Sequence, residues 1–498
     1  MGQNMIRNLK SSLLLVAGII IFTPLYICAQ DYIWATNHGG IYNDGSFEGV
    51  PTPDNGYAIL GSSYSYGAGL YDVYLIKLGS AGNVIWSKTY GGAETDQGYS
   101  IDNTDDGGFI LAGSTRSFGS GARDVYLIRT DDAGNILWSK SFGGVLDDQA
   151  RSVRVTSDNG FIICGTTDSY GQGYSDLYLI KTDSLGDTIW TRAYGGAGGE
   201  SGSAVRETMD GGFIAIGSTG SFGEGYSSVY VVRVDADGDS LWAYAYGGAK
   251  ADNGYTVELS GDGGFLLAGG TASFGAGYTD GYLIKIDANG NVAWEKTYGG
   301  AMDDRIYSIC LALDGTIMLT GSTDSFGAGK GDIYMVKTNP VGNPILTRTY
   351  GGSKTDYGRM IFQEASTNYI LVGESYSYSV GGSDVYVIKL DGAATPIYED
   401  DPDLLPSDYE LAQNYPNPFN LSTNIEYVLP RHSSVSLTIF NILGQVVHEW
   451  NFEFQQAGAH VIRWEGDDNN GRETASGIYF YRLSAGEFSE TKKMALIK

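Results

Sequence analysis

The stretch "SFGAGYTDGYLIKIDANGNVAWEKTYGG" at residues 273–300 has a near copy at 117–144, "SFGSGARDVYLIRTDDAGNILWSKSFGG". The phrase returns on a fixed clock. "DVYLIK" at 72–77 has counterparts starting at 124, 176, 228, 280, 332 and 384, every interval being 52 residues. "YGG" keeps the same interval from 90 to 350, and His38-Gly39-Gly40 stands one period earlier. Trp occurs at 34, 86, 138, 190, 242 and 294, with Leu346 in its place in the last copy. Seven copies without insertion between these anchors mark a repeat fold.

One period holds four strand signals. In the second copy they fall at 97–104, 108–115, 124–130 and 135–142. The turns "DDGG" and "DDAGN" between them supply the Gly and Asn that accept positive φ. The middle two strands run apolar without alternation, as in Phe109-Ile110-Leu111 and Val125-Tyr126-Leu127-Ile128. Such runs belong to strands buried on both faces. The pattern predicts an all-β, seven-bladed β-propeller rather than a β-solenoid, whose coils are shorter and whose ends need caps. The chain opens with a Trp strand, "DYIWATNHGG" at 31–40, and its last repeat stops at "DVYVIKLDG" without one. Each end lacks what the other has, so the N-terminal strand is expected to close the ring.

At "TDDAGNILW" (130–138) the repeat resembles the tryptophan-docking repeat of quinoprotein-type propellers, with Gly134 four residues before Trp138. The resemblance implies blade architecture. It does not extend to the Ca²⁺ ligands and stacking groups those enzymes need for their cofactor. The spacing also departs from the sialidase Asp box.

With 31 basic and 58 acidic residues the chain carries −27, which repels nucleic acid, and no Lys/Arg cluster offsets it. At the start, Arg7 and Lys10 precede an apolar run, Leu13 to Phe22, and Ile27-Cys28-Ala29 offers a cleavage site. Residues 1–29 read as a signal peptide, because the run is short and Thr23-Pro24 interrupts it. Ile27 is too bulky for the small residue expected before a lipidated Cys. No later segment is long or apolar enough to span a bilayer, so the mature chain is expected to be exported, and monomeric. Cys164 and Cys310 sit in different copies and read as small buried residues.

The repeats occupy 30–392. Residues 393–410 are acidic, contain Pro396, Pro402 and Pro406, and read as a linker. From 411 to 498 the alternation of Val435, Leu437 and Ile439 predicts a small Ig-like β-sandwich. This tail closely resembles the C-terminal sorting domain of type IX secretion substrates, itself related to an Ig-like module of flagellar hook-capping proteins. The resemblance is carried by Asn417-Pro418-Phe419-Asn420, the Gly444 turn, Ala475-Ser476-Gly477-Ile478-Tyr479 and the Lys-rich end. It implies passage through the periplasm and outer membrane, with the type IX machinery as partner of 411–498. The protein would then be released or held at the cell surface.

Little in the repeats points to catalysis. His38 is the one His there, at a position where other copies hold Tyr or Phe, and reads as a packing variant. There is no Cys/His cluster and no G-x-S-x-G, and "GAGKGD" (327–332) has Gly331 where a P-loop needs Ser or Thr. Asp235, Asp237 and Asp239 alternate as in a Ca²⁺ loop, but the equivalent turns lack the set, so a hairpin turn accounts for them. No cofactor is expected.

One constellation remains. Six residues after each YGG anchor stands an acid: Asp44, Asp96, Asp148, Glu200, Asp252, Asp304 and Asp356. Propeller topology places them near one mouth of the channel, rimmed by Tyr66, Phe118, Tyr170, Phe222, Phe274, Phe326 and Tyr378. This face would suit a cation, a sugar or a basic peptide. The competing account is that Asp in every copy braces a turn by accepting backbone N–H bonds. The expected function is non-enzymatic binding of a carbohydrate or protein at the cell exterior. The alternative is a polysaccharide hydrolase or lyase using loop carboxylates, although seven near-equivalent acids lack the asymmetry of a glycosidase pair.

Overall fold

The computed structural model describes residues 32–392 and 409–497, apart from 421, 430–432, 456–457, 470–471, 473 and 487. The leader read at 1–29 and nearly all of the linker read at 393–410 lie outside the described residues. Among the described residues the protein is all-β, and no helix is long and apolar enough to cross a membrane.

Residues 32–392 form seven four-stranded antiparallel sheets. In the second copy the strands are Asp96–Asn103, Phe109–Thr115, Asp124–Thr130 and Ile136–Phe142, paired in chain order. The second and third strands are buried along their whole length, whereas the fourth is largely open to solvent. The apolar runs are thus sandwiched between neighbouring sheets. Leu60 and Leu75 share a cluster with Phe109 and Tyr126 of the next sheet. Burying each such side chain contributes roughly 1.5–3 kcal/mol.

The last sheet is built from both ends of the repeat array. Tyr32–His38 pairs antiparallel with Asp384–Leu390, placing Trp34 opposite Lys389 and His38 opposite Val385. That sheet shares one apolar cluster with the sheet before it. It shares another with the first sheet, in which Val372 and Val387 meet Tyr57 and Ile76. The first strands lie side by side in succession, and Asp356–Gln363 lies beside Asp44–Pro51.

The Trp of the fourth strand is a spacer between copies. Gly134, at φ +72°, lies against Trp86 of the preceding sheet, and a Cβ there would fall 2.7 Å from the ring. Tyr90 donates its hydroxyl to Gly134 O at 2.7 Å beside it. A left-handed backbone under a flat ring requires Gly on both counts.

A second device ties the turn after the first strand to the third strand. Lys77 pairs with Asp54, Arg129 with Asp106, Lys181 with Asp158 and Arg233 with Asp210. The cations are buried, and their apolar stems pack in the sheet while the charge reaches the rim. Lys77 holds the Asp54 carboxyl down at about 2.

The tail forms two sheets. One comprises Glu410–Leu411, Thr423–Leu429 and Gly458–Trp464; the other orders Val446–Gln455, Ser433–Asn441, Gly477–Ala485 and Phe488–Leu496. They enclose a core with Ile425, Leu437, Ile439, Trp464 and Tyr481 at its centre.

Candidate functional site

The seven acids Asp44, Asp96, Asp148, Glu200, Asp252, Asp304 and Asp356 begin the first strands, as the repeat predicts, but they are buried to within 1%. Each accepts the N–H of the second Gly of its own YGG segment. The distance is 2.7 Å for Gly40–Asp44, Gly92–Asp96, Gly144–Asp148, Gly196–Glu200 and Gly248–Asp252. It is 2.8 Å for Gly300–Asp304 and 2.9 Å for Gly352–Asp356. Each also accepts a hydroxyl from the end of the second strand or the loop just beyond it, such as Ser117 on Asp96 and Ser169 on Asp148, both at 2.7 Å. Their carboxylates turn into the loops instead of facing a ligand.

A second carboxylate faces most of them. Asp72, Asp124, Asp176, Asp280, Asp332 and Asp384 begin the third strands, all nearly buried, with Ser228 in the remaining copy. Asp72 and Asp96 flank Gly91, and a Cβ on Gly91 would lie 2.0 Å from one and 2.7 Å from the other. Burial pushes the carboxyls of Asp72, Asp176, Asp280, Asp332 and Asp384 above their ordinary range, and the neighbouring acid adds to the rise.

These raised values set the pH response. An acid whose folded pKa exceeds its unfolded value favours folding when protonated, so stability falls as pH rises from the ordinary carboxylate range, about 4, through the raised value. The Asp54–Lys77 contact acts oppositely, and only as pH falls below about 4 toward the held value near 2. The melting temperature should therefore rise as pH is lowered through the raised values toward about 4. Asp280→Asn should flatten this rise without lowering stability at pH 8, because Ser228 already occupies the equivalent position uncharged. A steeper fall in D280N at pH 8 than in the parent would refute the pairing argument.

The expected aromatic rim is half-buried. Tyr66, Phe118, Tyr170 and Phe222 lean on the third-strand Tyr74, Tyr126, Tyr178 and Tyr230, with ring centres 5.5–5.7 Å apart. Four positions further along the same loops the copies diverge. Tyr174, Tyr226 and Tyr278 are 85%, 89% and 72% exposed in three successive copies.

Three places after each acid the copies also differ. In every first strand the register slips there by one residue, so Phe47, Tyr99, Arg151, Ser203, Tyr255, Tyr307 and Arg359 each stand on a bulge. A bulge re-aims the side chain it carries. The opposite strand makes room with a Gly. A Cβ on Gly165 would fall 1.9 Å from Gln149 O, and one on Gly217 would fall 1.7 Å from Ser201 O.

The bulge side chains touch in sequence. Arg151 lies 4.2 Å from the Tyr99 ring centre, and Tyr99 packs edge-on against Phe47 at 4.9 Å. Arg359 lies 5.5 Å from Phe47 and 5.3 Å from Tyr307, whose ring is 5.2 Å from Tyr255. Ser203 is the one small member of the set. Arg359 is held by Glu374 at 2.5 Å, and nearby Arg305 stands 3.5 Å from Asp303. Beneath them Arg154 is paired with Glu48 at 2.5 Å. Arg151 is exposed and, among the described residues, has no hydrogen bond or ion pair.

The remaining sequence candidates are placed as follows. Asp235 caps its own turn, accepting from the N–H of Asp237 at 3.0 Å and of Asp239 at 2.9 Å. Among the described residues no three His, Cys, Asp or Glu side chains converge to hold a metal ion. Cys164 and Cys310 are unbridged, and burial pushes both thiols up, Cys310 to about 11. His38 is partly buried 3.2 Å from Thr36 Oγ1, and burial lowers its pKa. The bulge set is absent from the candidates read in the sequence. Its signal was the alternation of aromatic residues and Arg at one place of the 52-residue frame.

Known proteins resemble parts of this chain. The FlgD Ig-like domain family matches residues 420–487. The Regulatory protein FlaEY of Caulobacter vibrioides is 24% identical over 337 residues, covering 60% of this chain and 33% of its own. The chain thus spans about a third of that relative's length. Among solved structures, PorZ, a surface component of the type-IX secretion system of Porphyromonas gingivalis, is similar with a TM-score of 0.35 and 13% identity. That match covers 88% of this chain and 65% of PorZ. A puromycin hydrolase is similar with a TM-score of 0.42 and 14% identity, covering 78% of this chain and 57% of its own.

Proposed function

We propose that this is an exported, non-enzymatic binding protein of the cell exterior, whose repeats close into a seven-bladed β-propeller. Closure is supported by the strand Tyr32–His38 completing the last sheet and by the core that sheet shares with the first. The binding surface is the end of the propeller where the first strands begin. The observation that carries this reading is the bulge set: Tyr255, Tyr307, Arg359, Phe47, Tyr99 and Arg151 touch in succession, and the occupant of the bulge changes from copy to copy between Phe, Tyr, Arg and Ser. Function on a shared fold sits where copies differ. The seven acids then serve as braces for the loops that frame this surface, and no catalytic residue is assigned.

A glycan and peptide array probed with the full chain tests this. Hits should be lost in a Phe47→Ala/Tyr99→Ala/Tyr307→Ala variant and should be released unchanged. Hits that persist in that variant, or that are cleaved, would overturn the reading, cleavage favouring the hydrolase or lyase.

The tail, by its resemblance to sorting domains, acts as an address read by the type IX machinery, with 1–29 as the periplasmic leader. Removing 411–498 should leave a folded propeller in the periplasm of a host that has this machinery. Recovery of the truncated protein outside such cells would refute the assignment.

A further inference from the structure

We infer that the ligand of the bulge surface is an acidic saccharide, its carboxylate bound by Arg151, which the buried Tyr99 holds in place, and its rings set against the partly exposed Phe47 and Tyr307. This rests on the binding function proposed above.

The first argument is charge. Arg151 is exposed, stacks on Tyr99, and has neither an ion pair nor a hydrogen bond among the described residues. The neighbouring Arg154, Arg206 and Arg359 are tied to Glu48, Glu258 and Glu374. An exposed arginine that structure does not use keeps its planar fork of donors free for a carboxylate, which it binds through two parallel N–H bonds. Stacking over Tyr99 fixes the guanidinium plane, and Tyr99 is itself steadied by a 2.8 Å bond from its hydroxyl to Gln97 Oε1. Less ordering entropy is then lost on binding.

The second argument is shape. Aromatic rings next to a carboxylate-binding group suit the C–H faces of a pyranose and the acid it bears. Ser203 is small where the other copies place a large side chain. An extended acidic peptide is the weaker fit. Peptides add to sheet edges through a regular ladder, and every first strand here is broken by its bulge. Nucleic acid is disfavoured by the net charge.

The test is titration of the full chain with trisaccharides of galacturonic, glucuronic, mannuronic and guluronic acid, with neutral trigalactose and with tri-glutamate. At least one uronate should bind and trigalactose should not. Arg151→Gln should weaken uronate binding at least about tenfold, while Arg151→Lys, which keeps charge without the fork, falls between. The melting temperature of each variant checks that it is folded. Tri-glutamate binding in the absence of uronate binding, lost in Arg151→Gln, would overturn the saccharide assignment and leave the bulge surface standing. Binding of none of these probes would also overturn the saccharide assignment. Uronate binding unchanged in Arg151→Gln and in the Phe47, Tyr99 and Tyr307 triple variant would overturn the bulge surface itself.

Discussion

A chain lacking residues 31–40 is expected to lose its monodisperse folded state. The deletion removes the whole ladder between Tyr32–His38 and Asp384–Leu390, together with Trp34, which packs on the core shared by the last and first sheets. The third strand of that sheet becomes an open edge, and exposed edges pair with other chains. Domains are stable by only about 5–15 kcal/mol, so losing a sheet edge and part of two apolar clusters is comparable to the whole margin. Size-exclusion chromatography should report oligomers or aggregate, and melting should begin well below that of the parent. Joining residues 31–40 after residue 392 should restore the monomer, because the strand is needed for its place in the sheet and not for its place in the chain. A deleted protein that stays monomeric and melts like the parent would rule out the closing strand.

The second large effect is expected from one methyl group. Gly217 pairs with Gly202 at the bulge of the fourth copy, and the Cβ of alanine would sit 1.7 Å from Ser201 O and 2.7 Å from Ser201 C. Both are backbone atoms, so no side chain can swing aside. Relief requires parting the first and second strands or straightening the bulge, either of which exposes Ile214, Ile216 and Val231 to strain or water. The cost of Gly217→Ala should be about 3 kcal/mol or more, at the upper end of overpacking. Gly107→Ala makes the control. It has nothing within 4 Å of its Cβ position, so only its positive φ resists substitution. Denaturant unfolding should separate the two variants clearly, and equal midpoints would refute the bulge account.

These cases also mark what was readable in the residues alone. Strand positions were legible because the anchors recur every 52 residues and the turns need particular backbone angles. The second copy's first strand, read at 97–104, runs Asp96–Asn103, and its third falls on 124–130 as read. The missing Trp strand at one end and the spare one at the other identified the pairing of Tyr32–His38. The acids were visible, but their burial was not. An Asp at the start of a strand looks the same whether it faces solvent or accepts the N–H of Gly92, and the choice depends on a loop 4 residues away folding back. The paired cations and acids, such as Lys77 with Asp54, were also missed, because the partners lie 23 residues apart on different strands. The bulge surface was hidden for another reason. A bulge is one extra residue in a strand of eight set against a strand of seven, and periodicity over so short a run does not detect it. Attention to what repeats also passes over Arg151 and Ser203, which stand where most copies place an aromatic ring.

The closing strand also bears on the order of events during folding. Six of the seven sheets are made of consecutive strands, so each assembles from hairpins with short loops, as soon as its own stretch of chain is available. The seventh must wait for Tyr32 to meet Leu390, at opposite ends of the array. The entropy of so long a closure grows only logarithmically with length, so the wait costs time more than stability. Until then the chain is an open arc with two unpaired edges, the species most exposed to other chains and to proteases. Pairing of Tyr32–His38 is the last step on this route, and its release undoes one ladder while leaving the six continuous sheets intact. Native-state hydrogen exchange should therefore find the amides of that strand opening before those of the six continuous sheets.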